Sequence, residues 1–294
     1  IEVLFMILKS YKLYICFFYI LCFFLLIVSA FFDLNINVLL NNPNSVLAIW
    51  IRNTGEIPAR LILPLSGTCL FYICEKWTSK IFGISICFGG SIFLGYKIAK
   101  YFYVEENQIA FGVLTGVSIA IVLIFIGKYI TFPKKVKNIL IIISLCTIVG
   151  FFFENVIVEI LKILWGRVRF RDLLQESDFT SFSAWYIPNG INGNKSFPSG
   201  HVAGAGLSFY MLLLPYISPH WKNRTAICFI IPFVYTAIVS FTRIVMGAHY
   251  LSDVTFGAII SFTIVLITLF TIEKYLKKSL CTYMSHDLLE FSYF

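Results

Sequence analysis

Residues 14–32 read YICFFYILCFFLLIVSAFF, nineteen in a row without a charge. A helix needs about 20 mostly apolar residues to cross the hydrocarbon core of a bilayer. Membrane strands alternate apolar and polar side chains, and this run does not, so it predicts a helix rather than a barrel strand. It exceeds the roughly 7–15-residue core of a cleaved signal peptide and has no small-residue cleavage site, so a retained signal anchor is expected.

Runs of the same kind recur along the chain. They predict about eight spans: 13–32, 57–75, 81–100, 109–132, 138–160, 201–217, 225–243 and 251–272. A six-span alternative needs a different fate for 81–132. Composition agrees with a membrane solvent: 59% of the 294 residues are hydrophobic and 13% are charged, against about 25% charged in a soluble domain. Mean hydropathy is +0.86. The expected fold class is all-α, a polytopic helical membrane protein.

The net charge of +8 does not point to nucleic acid. Lys9 and Lys12, Lys76 and Lys80, Lys134, Lys135 and Lys137, Lys222 and Arg224, and Lys274, Lys277 and Lys278 fall in connectors and tails. With eight spans all of these lie on one side, which the positive-inside rule makes the cytoplasm. Asp33–Arg52, the VEEN stretch with Glu105 and Glu106, the 171–200 loop and the 244–250 corner then face outward. The eight Cys residues lie almost entirely inside apolar runs. They read as small hydrophobes, with no disulfide framework.

Three organisational units are expected: N-terminal transmembrane helices over 1–132, a catalytic core over 133–273, and a cytoplasmic tail over 274–294. The first four spans show no polar cluster suggestive of chemistry. They are expected to pack against or extend the catalytic half.

The later spans carry three polar islands, and on this topology all three share the outer face. The first is KILWGRVRFRD, 162–172. Lys162 and Arg169 lie seven apart, one helical face if the helix continues, with Arg167 and Arg171 adding charge. Cations at a helix end can snorkel to headgroups, but four together on the outer side run against the positive-inside bias. The second island is SFPSGH, 196–201. Pro198 fixes a turn, Gly200 allows close backbone approach, and a helix N-terminus there favours an anion. Ser199 adds a hydroxyl donor, and an ordinary helix start is the plainer alternative. The third is TRIVMGAHYLSD, 242–253. If 249–253 is helical, Asp253 can reach His249, fix its tautomer and leave the other nitrogen nucleophilic. Four His in the whole chain make a metal centre the lesser alternative. Ionised groups cost several kcal/mol toward the bilayer centre, so the set reads as a pocket for a phosphate dianion with a nucleophile and an acid.

The pattern resembles the type 2 phosphatidic acid phosphatase family, relatives of the vanadium haloperoxidases. That family carries Lys and Arg-Pro separated by six residues, Pro-Ser-Gly-His, and Ser-Arg followed by His after five residues and Asp after three more. Here they read Lys162-ILWGRV-Arg169-Phe170, Pro198-Ser199-Gly200-His201 and Thr242-Arg243-IVMGA-His249-YLS-Asp253. Order and spacing are kept over about 90 residues. Phe170 replaces the usual Pro, and Thr242 the usual Ser. The family core has six spans, so about two N-terminal spans lie beyond the resemblance.

The resemblance implies roles. His249 would form a phosphohistidine, Asp253 would orient it, and His201 would protonate the leaving group. Lys162, Arg169, Ser199, Gly200 and Arg243 would hold the phosphoryl oxygens. No metal and no cofactor is implied. A site at the outer membrane edge suits a lipid phosphate, with the bilayer as the other partner. FSAWYI…NKSFPSGH and RIVMGAHYLSDV are similar to stretches of bacterial lipid A phosphatases of this family, which implies a bacterial inner membrane with the site facing the periplasm. Phosphatidylglycerophosphate and undecaprenyl pyrophosphate phosphatases share the motifs. A lipid phosphotransferase and an anion transporter are the alternatives of other classes.

Overall fold

A computed structural model of the protein describes residues 2–102 and 107–290; Glu105 and Glu106 lie outside them. The regular elements among the described residues are all helical: α1 (Glu2–Leu40), α2 (Val46–Thr54), α3 (Ile57–Arg60), α4 (Ile62–Ile73), α5 (Trp77–Phe102), α6 (Gln108–Gly127), α7 (Lys134–Trp165), α8 (Phe170–Glu176), α9 (Gly200–Gly206), α10 (Leu214–Ile217), α11 (Thr225–Val245) and α12 (Leu251–Glu290). A 3-10 segment, Leu207–Leu213, joins α9 to α10. Ile20, Phe23 and Phe24 on α1 are 69%, 67% and 59% exposed. Apolar side chains turned outward on this scale need lipid rather than water around them.

Seven helical segments among the described residues are long and apolar enough to cross a membrane. The expected span at 57–75 differs from the other seven. It divides into α3 and the twelve-residue α4. Pro58 and Pro64 remove backbone donors there, and twelve residues rise only about 18 Å. This pass starts where Glu56 meets His201 and ends at Cys74, in a cleft with Thr78 and Leu145. It is a short, broken element beside a cavity, where irregular backbone can be satisfied by protein rather than lipid.

Close packing ties the early helices together. Gly112 and Gly116, four apart on α6, face Gly95 and Ile92 on α5, and a Cβ on Gly116 would run into the α5 backbone. With no apolar driving force between helices in lipid, such small-residue contact is what holds them. α1 packs against both α11 and α12. Its Phe18 meets Phe262 with ring centroids 4.0 Å apart and Phe209 at 5.7 Å. The first helix is thus part of the core of the last ones, and α1, α7, α9, α11 and α12 all bring an end to one site.

Candidate active site

α7 stops at Trp165 because Gly166 takes the left-handed conformation, φ 50°, with its N–H on the Lys162 carbonyl. A glycine is favoured at that position, and a Cβ there would collide with the Gly190 carbonyl. The expectation that Lys162 and Arg169 share a helical face is therefore corrected. Lys162 sits in the last turn of α7, and Arg169 arrives after the turn as the extended residue before α8. Phe170, where the family has Pro, opens α8 and is buried beside Tyr250 and Phe179.

The turn also sends Arg167 inward. Its side chain has no exposed surface. Nη1 donates to Asp253 Oδ1 at 2.6 Å and to Ser252 Oγ at 2.8 Å, Nη2 to Asp33 Oδ2 at 2.9 Å, and Nε to the Ser183 carbonyl at 2.9 Å. The guanidinium lies 4.1 Å from the Tyr250 ring centroid. Between two carboxylates and against an aromatic face, the planar fork is used fully.

His249 lies just before α12, in the segment that follows Gly247 at φ 59°. Its ring is buried. Nδ1 meets the Ser196 carbonyl at 2.7 Å and Asp253 Oδ2 only at 3.6 Å. A carbonyl can only accept, so Nδ1 carries the proton and Nε2 keeps its lone pair. The helical i,i+4 contact expected from sequence is loosened because α12 begins only at Leu251. Asp253 instead accepts from Ser196 Oγ at 2.6 Å and from the Tyr250 N–H at 3.0 Å. It fixes the Ser196 segment that in turn holds His249. Burial drives the His249 imidazole down to about 4 against the pull of Asp253, so the ring is neutral near pH 7.

In front of His249 opens a cavity of about 570 Å³, lined by nine Lys or Arg side chains and three Glu. Lys162, Arg169, Gly200, His201, Arg243 and His249 all line it, so the three islands converge. Gly200 lets Lys162 approach: a Cβ there would lie 3.0 Å from Nζ. Lys162 Nζ is 2.6 Å from Glu159 Oε1, and Arg169 Nη2 donates to the Lys195 carbonyl at 3.4 Å. Arg243 is 6% exposed, and its Nε and Nη1 are buried without a partner, as is Ser199 Oγ. Buried donors left open are costly, and a guanidinium at a cavity wall is built for an incoming oxyanion. Ser199 and Asp253 lie behind the lining residues. Thr242 points away, its hydroxyl on the Val239 carbonyl at 2.8 Å.

The first four spans supply much of this wall, contrary to the expectation that they hold no polar cluster. Arg52, Glu56, Arg60, Lys97, Lys100 and Tyr101 all face the cavity. Glu56 accepts from Arg60 Nε at 2.6 Å and lies 3.7 Å from Lys97 Nζ. Burial opposes its charge, yet His201, Arg60 and Lys97 hold the carboxyl down to about 2. Asn37 of α1 donates to the His249 carbonyl at 3.2 Å. One signal pointed this way: Arg60 interrupts the apolar run at 57–75, and ionisable residues in such runs mark functional sites.

Fold and site together define a helical membrane protein with a buried, strongly cationic cavity at one end of its bundle. Residues 140–276 match the PAP2 superfamily, and that stretch holds all three motifs. No solved structure matches the chain.

Proposed function

We propose that the protein hydrolyses the phosphate monoester or pyrophosphate of a membrane lipid through a phosphohistidine, without a metal, at the periplasmic face of a bacterial inner membrane. The observation that carries this is the His249 tautomer. With Nδ1–H committed to Ser196, the free Nε2 belongs to a ring on the wall of a cavity that also holds the unpartnered Arg243.

The steps balance as follows. His249 Nε2 bonds to phosphorus as the bond to the lipid oxygen breaks. His201 gives its Nε2 proton to that oxygen, and the lipid alcohol leaves. Water then returns a proton to His201 as its oxygen attacks phosphorus, the P–N bond breaks, and phosphate departs. Lys162, Arg169 and Arg243, with Ser199 and the Gly200 backbone, hold charge on the equatorial oxygens. Asp253 holds Ser196, and through it His249.

A lipid A-type phosphatase is the reading favoured here. Nine cationic side chains against three carboxylates suit a substrate with more than one anionic group. That same charge leaves phosphatidylglycerophosphate and undecaprenyl pyrophosphate as the next candidates. Purified protein in detergent with EDTA should release phosphate from one or more of lipid A, phosphatidylglycerophosphate, phosphatidic acid and undecaprenyl pyrophosphate. Normal turnover by His249→Ala would remove the proposed nucleophile. A phosphotransferase would instead put the phosphoryl group on a second lipid, visible by mass spectrometry. An anion transporter would release none.

A further inference from the structure

Glu56 lies between α2 and α3, outside the segment that matches the PAP2 superfamily. Its carboxylate nevertheless reaches the proposed acid. Oε1 is 3.2 Å from His201 Nδ1, and the opposite ring nitrogen, Nε2, is 3.0 Å from the Tyr101 hydroxyl on α5. Glu56 is 8% exposed, and its second oxygen is held by Arg60 at 2.6 Å. The ring therefore lies between two groups from the N-terminal part of the chain, a carboxylate near Nδ1 and a hydroxyl bonded to Nε2. His249 has its Nδ1 on a neutral carbonyl instead. The two histidines of one cavity thus have opposite partners: a neutral one suits a nucleophile, and an anionic one suits a ring that must carry a proton.

We propose that Glu56 is a positioning residue for the acid step: it holds the Nδ1–H of His201 so that Nε2 delivers its proton to the leaving oxygen, at the place the Tyr101 hydroxyl fills in the free protein. This role presupposes the phosphohistidine chemistry proposed above. When His201 gives up the Nε2 proton, Nδ1–H stays on Glu56 and the ring becomes neutral. The water of the second step restores the Nε2 proton, so no other donor is needed. The Arg60 and Lys97 contacts keep Glu56 ionised and aimed throughout.

A carboxylate that only balanced Arg60 and Lys97 would support folding and nothing else. The leaving group separates the two roles. An alkyl oxygen must be protonated as it departs, whereas 4-nitrophenolate departs without a proton, so only the first needs the acid. The test compares phosphate release from phosphatidic acid and from 4-nitrophenyl phosphate by wild type, Glu56→Gln, Glu56→Asp and His201→Ala in detergent. Glu56→Gln should slow the lipid reaction about 10–100-fold, part of the roughly 10²–10⁴-fold that acid catalysis supplies, and change the aryl reaction less than about threefold. Glu56→Asp should recover part of the lipid rate. Adding Glu56→Gln to His201→Ala should cost nothing more, since the two act as one unit.

Equal losses on both substrates, or no loss on either, would overturn the role. Aryl turnover also reports that each variant is folded, because it needs His249. If Glu56→Gln loses both activities by misfolding, Glu56→Asp decides by the same ratio. Wild type that releases phosphate from neither the aryl ester nor any of the four lipids, or a His249→Ala variant that turns over both kinds of ester, defeats the phosphatase reading itself. A flat ratio in an active enzyme defeats only Glu56.

Discussion

Arg167 and Asp33 stand 134 residues apart in the chain and 2.9 Å apart in the fold, with 0% and 1% of their side chains exposed. The same guanidinium holds Asp253, so α1 is wired to the residue behind His249. Breaking one side of a buried ion pair leaves a charge uncompensated, at a cost of about 3–5 kcal/mol. Asp33→Ala should lower thermal stability in detergent accordingly and abolish phosphate release, with Asp33→Asn milder on both counts. Arg167→Lys should not restore function, since one ammonium cannot serve two carboxylates in a plane. Wild-type melting and activity in Asp33→Ala would show the wiring to be idle.

Arg243 sets stability against function. Its buried Nε and Nη1 lack partners, a state that disfavours the empty fold. Arg243→Met should therefore melt at or above the wild-type temperature while losing turnover. Vanadate, a mimic of five-coordinate phosphorus, should raise the melting temperature of the wild type by mass action. It should not raise that of Arg243→Met. A vanadate shift of wild-type size in the variant would mean the anion sits elsewhere.

The pH response follows from His249. Its folded value of about 4 lies below the ordinary 6.5, so the unfolded chain takes up the proton first as pH falls. The neutral ring's contribution, on the order of 3 kcal/mol, is complete above 6.5 and fades between 6.5 and 4. Stability measured across that window should be flatter in His249→Asn. The neutral ring is also the proposed nucleophile, so His249 should leave activity intact down to about pH 4. An acid limb of wild-type activity near 6.5 would contradict the buried tautomer.

The α5–α6 contact carries Lys97 and Tyr101 to the site. Gly116→Val places a side chain against the α5 backbone at Ile92, and overpacking of this kind costs about 1–3 kcal/mol. The variant should melt earlier and lose lipid turnover while Gly89→Ala, with open space around its Cβ, behaves as wild type. Equal behaviour of the two would argue against close packing there.

Orientation is open to a direct check. A reporter inserted in the 178–192 loop should light up outside the cytoplasm. A cytoplasmic signal would reverse the proposed topology and strand the site on the wrong face for a periplasmic lipid.

The helical architecture and the residues of the three islands were legible because both are local signals. Long apolar runs predict spans, and motif spacing names Lys162, Arg169, His201, Arg243 and His249, which the fold then brings to one cavity. Contacts between distant segments left no such trace. Asp33 read as the start of an outward-facing connector, Arg167 as one more cation between two motif residues, and Glu56 drew no reading. Each acquires its partner only when helices far apart in sequence pack together. Two local inferences went astray for backbone reasons: Gly166 ends α7 before Arg169, and prolines split the 57–75 run.

The bond network around Arg167 joins α1 to α12, helices that leave the ribosome far apart in time. Asp33 is made before either Arg167 or Asp253, and its pair with Arg167 can close before α12 exists. A chain halted before α12 would leave the Arg167 guanidinium without Asp253 and Ser252, so the network closes only when the two ends of the fold have met.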